Sequence, residues 1–120
     1  MLKVMPESEG PLLWLRAWER LTVLDYREIF VPRLEEVIRK HGKVRLLFHL
    51  APDFQGWTPA AGWEDLKLGL ETRGDFEKLA LVGAPLWADV LLRLFAHFMP
   101  GEARTFLREY LAEAWIWIQE

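Results

Sequence analysis

The residues of this 120-residue chain that could do acid–base or nucleophilic chemistry are few: three histidines, a handful of carboxylates and one well-placed threonine. None of His41, His49 and His97 has a partner at metal-ligand spacing on a helix, so no metal set is expected. His41 stands beside Gly42 at a predicted helix end, where a cation suits the helix dipole. His49 is the candidate of interest. It closes an apolar strand next to a loop that carries Asp53, and a His–Asp pair there could move protons. A nucleophile is missing, however. The chain has no Cys, and its one serine, Ser8, falls in a distant turn. Thr58 has a complete role as a helix cap. The simpler expectation is a strand-end histidine bonded to loop backbone and no catalytic residues. Glu64 and Asp65 are consecutive on a helix and do not face each other, and Asp53 reads as the organiser of an Asx-type turn. Neither GxxxxGK[ST] nor GxGxxG occurs, and no cofactor is expected.

Composition narrows the classes further. The chain is 52% hydrophobic and 28% charged with a net charge of −3, which is globular and long enough to bury a core, and residues 1–120 read as one domain. Lys and Arg are scattered rather than gathered on one face, so nucleic acid is not an expected partner. The absence of Cys, of a signal-peptide pattern and of an apolar run long enough to span a bilayer gives a cytoplasmic expectation. Asn is absent and Gln occurs twice, an amide depletion of the thermophile kind.

The elements that must position these residues centre on Lys43–Leu70. Val44–Leu50 is too apolar for a surface strand, as suits a strand covered on both faces. Pro52, Asp53 and Gly56 then force a loop. Thr58-Pro59 opens a helix to about Thr72, with Ala60, Trp63, Leu66 and Leu70 as its inward stripe. Before this stretch, Leu2–Met5 and Pro11–Trp18 form an edge hairpin. In it Trp14, Arg16 and Trp18 share one face and Leu13, Leu15 and Ala17 the other. Thr22 and Asp25 form a capping box for a helix to about Lys40, kinked at Pro32 and stopped at Gly42. After it come a strand at Lys78–Val82, a helix from Leu86 to Phe98, a strand at Ala103–Phe106 and a last helix from Arg108 to Gln119. The order is β-β-α-β-α-β-α-β-α. It predicts an α/β fold: about five strands, mostly parallel, with an N-terminal antiparallel hairpin and four main helices.

Laid out in this way, the chain resembles the SpoIIAA-like family, whose fold is related to STAS domains and to the Sec14/CRAL-TRIO lipid-binding fold. The resemblance runs over nearly the whole length. It is carried by Leu21-Thr22 and Asp25-Tyr26, Pro32, Leu34 and Glu35, His41-Gly42-Lys43, the strand VRLLFHL, Asp53-Phe54-Gln55-Gly56-Trp57 and Trp63-Glu64-Asp65-Leu66-Lys67. Phe76-Glu77, LALVG, Trp87, Phe95-Ala96, Phe98, Pro100-Gly101-Glu102 and Ala114-Trp115 complete it. In anti-sigma-factor antagonists of this fold, the loop carries Asp-Ser-Ser-Gly and is switched by serine phosphorylation. Here Phe54 and Gln55 fill the serine positions, so that switch is not expected, and Thr58 is not expected to take its place.

The helix from Leu86 has more apolar surface than a sheet-covering helix needs. Trp87, Val90, Leu91, Leu92, Leu94, Phe95 and Phe98 leave only Asp89, Arg93 and His97 as a polar stripe. The last helix has Leu107, Leu111, Ala114, Trp115 and Ile118 inward, with Tyr110 and Trp117 to spare. Such a surplus must meet a neighbouring helix, a second subunit, an apolar ligand or a membrane surface. The expected function is non-enzymatic binding of a protein partner, self included. The resemblance implies as alternative a carrier of an apolar small molecule or lipid, with peripheral membrane contact. The residues singled out for either are Asp53, Phe54, Gly56, Trp57, Trp63, Trp87, Leu91, Phe95, Phe98 and Trp117.

Overall fold

Val44–Leu50 forms the middle strand of a five-stranded sheet, as its largely apolar pattern predicts. A computed structural model describes residues 1–97 and 99–120, apart from the side chains at 69, 70 and 73. The strands are β1 (Leu2–Val4), β2 (Leu12–Ala17), β3 (Arg20–Leu21), β4 (Val44–Leu50), β5 (Gly56–Trp57), β6 (Phe76–Val82) and β7 (Glu102–Phe106). The helices are α1 (Val23–Asp25) and α2 (Val31–His41), joined by a π-helical turn at Tyr26–Phe30, then α3 (Pro59–Thr72), α4 (Leu86–Ala96) and α5 (Leu111–Gln119). With the run 23–41 counted as one, these are the four helices expected.

The main sheet has the order β1-β2-β4-β6-β7, with β1 antiparallel to β2 and every other pair parallel. Spatial order thus follows chain order. Each crossover steps in the same direction, and crossovers of one hand then place their helices on one face. Two buried clusters result. The larger joins Leu13, Leu15, Leu46, Phe48 and Leu50 of the sheet to Tyr26, Phe30, Leu34, Ala61 and Leu68. The smaller, on the opposite face, joins Trp14, Leu47, Ala80 and Val82 to Ala114, Trp117 and Ile118 of α5. The expected division of β2 into two faces holds. Trp14 packs on Trp115 at 4.9 Å between ring centroids, and the Arg16 guanidinium lies 5.6 Å from the Trp18 ring.

The caps read from sequence are in place. Thr22 N–H donates to Asp25 Oδ2 at 2.9 Å and Asp25 N–H returns to Thr22 Oγ1 at 3.3 Å. Ala61 N–H donates to Thr58 Oγ1 at 3.2 Å. Gly42 ends α2 with φ 73°, a left-handed conformation that a side chain would strain. Pro32 acts differently from the expected kink. The turn before it widens so that Val31 N–H bonds Tyr26 O, and the proline sits in the first turn of α2, where its missing N–H costs little.

Helix α3 is rotated from its expected setting, and the last helix keeps its expected stripe except at two positions. On α3 the buried positions are Ala61 and Leu68, while Ala60, Trp63 and Leu66 face solvent; Leu70 lies outside the described side chains. On the last helix Leu107 is exposed and Trp117 is buried. Residues 108–110 form a 3₁₀ turn before α5 begins. The expected extension of α4 to Phe98 ends outside the described residues.

Candidate functional site

The loop after β4 is held on both sides by backbone bonds. Ala51 N–H donates to Ala17 O at 2.8 Å, Gln55 N–H to Glu19 O at 2.6 Å and Thr58 N–H to Leu21 O at 2.9 Å. Between them β5 pairs in parallel with β3, Arg20 opposite Gly56 and Leu21 opposite Trp57. The turn itself is closed by Phe54 N–H donating to Ala51 O at 3.0 Å. Asp53 is exposed at its tip, and the described bonds give the turn-closing role to backbone rather than to its carboxylate.

Pinning the loop fixes Trp57, and Trp57 fixes a polar chain through the wall of the core. Trp57 Nε1–H donates to Tyr26 Oη at 2.7 Å, and Tyr26 Oη–H donates to Asp65 Oδ1 at 2.7 Å. Tyr26 is fully buried. Burial first, and then the nearby Asp65 carboxylate, push its phenol well above 10.0. Asp65 is itself raised by loss of water on its inner side, against the lowering effect of the Tyr26 hydroxyl. Its outer edge is exposed, and water there softens the shift. This chain sets the rotation of α3. Once Asp65 turns inward to Tyr26, Trp63 and Leu66 must turn outward.

Aromatic rings continue from the loop onto α4. Phe54 meets Trp57 edge-on at 5.1 Å, and Trp57 meets Trp87 edge-on at 5.3 Å. Beside them, at the carboxyl ends of β4 and β6, lies a cavity of about 320 Å³. Phe54, Gln55, Pro85, Trp87, Gly83 and Arg108 are among its walls. Ligands of open α/β sheets commonly bind at such strand ends. Of the aromatic residues expected to share a site, Phe54, Trp57 and Trp87 come together. Phe95 instead packs on Phe76 at 6.1 Å, Trp63 stands alone on the outer face of α3, and Phe98 lies outside the described residues. Trp117 is on the other side of the sheet. It packs against Phe106 at 5.9 Å with the Lys78 ammonium 4.8 Å from its ring, so it is core and not the surface edge expected.

His49 points to the α5 face, directly across from Arg16 in the β2–β4 register. Partial burial lowers its pKa from 6.5, and the charges of Arg16 and Arg108 add to that. No ion pair joins it to Asp53 among the described residues, and no described hydrogen bond ties it to the loop backbone as expected. Groups of three or more potential metal ligands are likewise absent among the described residues.

The apolar surplus of α4 faces outward. Leu86, Trp87, Val90, Leu91 and Leu94 are each more than half exposed. Ala88 is buried, and Leu92 and Phe95 are half-buried. Asp89 and Arg93 pair at 3.1 Å and border a second cavity of about 200 Å³ with Ala103 and Thr105 of β7.

Sequence reasoning missed Tyr26, Asp65, Gly83 and Arg108. Tyr26 fitted an apolar stripe, and Asp65 was weighed only against its neighbour Glu64. Gly83 reads as the opening of the helix from Leu86, and Arg108 as the start of the last helix.

Comparison with known proteins agrees with the fold. A family model described as SpoIIAA-like matches residues 12–119. A crystal structure of an uncharacterised protein of the DUF3478 family with a SpoIIAA-like fold, from Shewanella loihica PV-4, superposes with a TM-score of 0.74 at 27% identity. The match covers 98% of this chain and 93% of that one. No curated protein matches the chain. No described helix is long and apolar enough to cross a membrane.

Proposed function

The chain belongs to the SpoIIAA-like family, and from that premise we propose that it is a non-enzymatic binding domain whose protein partner docks on the outer faces of α3 and α4. One observation carries this reading. Trp63 and Leu66 of α3 and Leu86, Trp87, Val90, Leu91 and Leu94 of α4 are large, apolar and each more than half exposed. Exposed large apolar side chains gathered on neighbouring elements mark interaction surfaces. The Arg27–Glu64 and Asp89–Arg93 pairs supply a charged rim. Phe54 and Gln55, standing where a phospho-switched relative has serines, make this binding constitutive. The simplest partner is a second copy of the chain.

Native mass spectrometry over a range of concentrations tests this. A dimer that Leu91→Lys or Trp63→Ser converts to monomer is the expected result. A bare monomer at every concentration, unchanged by either substitution, removes the self-association reading. The Phe54–Trp57–Trp87 run beside the carboxyl-end cavity favours a second reading, a carrier of an apolar compound. A monomer retaining a few hundred extra daltons, roughly the mass of a drug-sized pocket ligand, promotes the carrier above the docking face.

A further inference from the structure

Arg108 begins the 3₁₀ turn after β7 and reaches back over the end of the sheet. Its Nε–H donates to Leu50 O at 3.3 Å, and Nη2–H donates to Ala51 O and Gly83 O, both at 3.4 Å. No described hydrogen bond uses Nη1, and among the described residues no carboxylate pairs with this guanidinium. A guanidinium has five N–H donors, so part of its fork is left to face outward. Its seat is specific. Gly83 has φ 81°, and a Cβ there would stand 2.7 Å from Leu50 O and 3.1 Å from Arg108 Nη2. Any other residue at 83 would displace the guanidinium.

Arg16 and His49 are cross-strand neighbours at the same end of the sheet, and both Arg16 and Arg108 act on His49. Arg16 and His49 are half-buried. The other walls of the cavity that Arg108 borders include Phe54, Gln55, Pro85 and Trp87. We propose that this cavity binds a small organic anion, a carboxylate or phosphate monoester borne on an apolar group, with Arg108 holding the oxyanion and Trp87 and Phe54 packing the body. Guanidinium–oxyanion contact is the strong, geometrically selective kind, and the ring faces supply the apolar share. The proposal goes beyond the docking face and does not rest on it. Trp87 borders both, so the deciding substitutions are at Arg108.

The test is an NMR titration of amide shifts with four probes: phenyl phosphate, phenylacetate, inorganic phosphate and benzyl alcohol. The expected result is saturable movement of the Gly83, Ala84 and Trp87 amides with one or both aromatic anions. Inorganic phosphate and benzyl alcohol should bind at least roughly tenfold more weakly, the size of one charge-assisted bond or one stacked ring. Arg108→Gln should remove binding by a similar factor, and Arg108→Lys should keep part of it. Should Arg108→Gln fail to fold, Trp87→Ala decides: it must bring phenyl phosphate down to the level of inorganic phosphate. Benzyl alcohol binding as well as phenyl phosphate, Arg108→Gln leaving affinity intact, or no movement with any probe overturns the proposal. Sedimentation with phosphatidic acid vesicles identifies the source. Co-sedimentation lost in Arg108→Gln assigns the anion to a lipid head group, and phenyl phosphate saturation without it assigns a soluble compound; both uphold the site.

Discussion

Helices α4 and α5 are both rich in apolar residues, yet α5 hides most of them, Ile116 apart, and α4 displays most of them. On α5, Ala114, Trp117 and Ile118 are buried, and Leu111 and Trp115 are partly covered. On α4 only Ala88 is buried, and five large side chains face out. The difference is what lies beneath. α5 has one face of the sheet to itself and crosses the central strands β4 and β6. It is also held at its end, where Arg45 Nη1–H donates to Ile118 O at 3.0 Å and Lys78 Nζ to Trp117 O at 2.9 Å, cations set against the negative pole of the helix. α4 shares its face with two other helical segments and packs mainly on β7, the last strand. That strand is the edge of the described sheet. Apolar content therefore states how much burial a helix could use, and its position over the sheet decides how much it receives.

Substitution tests the contrast directly. The largest effect belongs to the α5 face: Trp117→Ala should cost about 3–5 kcal/mol in denaturant unfolding, the range for deleting a buried aromatic. Next is Tyr26→Phe, which strands the Trp57 N–H and the Asp65 carboxylate. It should cost about 1–3 kcal/mol, the desolvation penalty of an unmade bond. Smaller effects are tied to pH. His49 has its pKa lowered in the fold, so its neutral form is favoured there and its contribution is lost as pH falls from 6.5 through the folded value. His49→Gln should flatten the stability curve in that window. Asp65 is shifted upward, so its protonated form is favoured. Its contribution is present below 3.8 and lost as pH rises through the folded value. Asp65→Asn, which can still accept from Tyr26, should therefore lose that dependence without unfolding. The smallest change in stability is expected on α4: Leu91→Ser should stay within about 0.5 kcal/mol of the parent. A loss comparable to Trp117→Ala would show that the α4 face is core after all.

Much of this architecture was readable from sequence because its signals are local. The apolar run of β4, the caps at Thr22 and Thr58, the stop at Gly42 and the bounds of α3 each depend on neighbouring residues, and each appears where expected. The rotation of α3 was not readable. Its apolar residues lie on nearly every side, so periodicity allowed more than one inward stripe. The choice falls to a hydrogen bond between Tyr26 and Asp65, 39 positions apart. The β3–β5 pair escaped for another reason: two residues per strand are too few to show a period. Trp117 followed the same logic as α3, since the contacts that bury it come from Phe106, Lys78 and Arg104 on other strands. Within the candidate site, loop and aromatic residues were legible as types. The Arg108–Gly83 seat was not, because its carbonyls come from two segments, 50–51 and 83, far from Arg108 in the chain.

Strand order that repeats chain order also gives the molecule a direction of assembly. During synthesis each new parallel strand meets a neighbour that has already left the ribosome, so the sheet can extend strand by strand without waiting for later segments. α5 breaks this rule. It must travel back past β7 to reach β6 and β4, and until residues 111–119 have emerged, Trp14, Leu47 and Val82 stand uncovered. A helix made after every strand it covers is thus the one that closes the second core, and the nascent chain needs protection from aggregation on that face until it arrives.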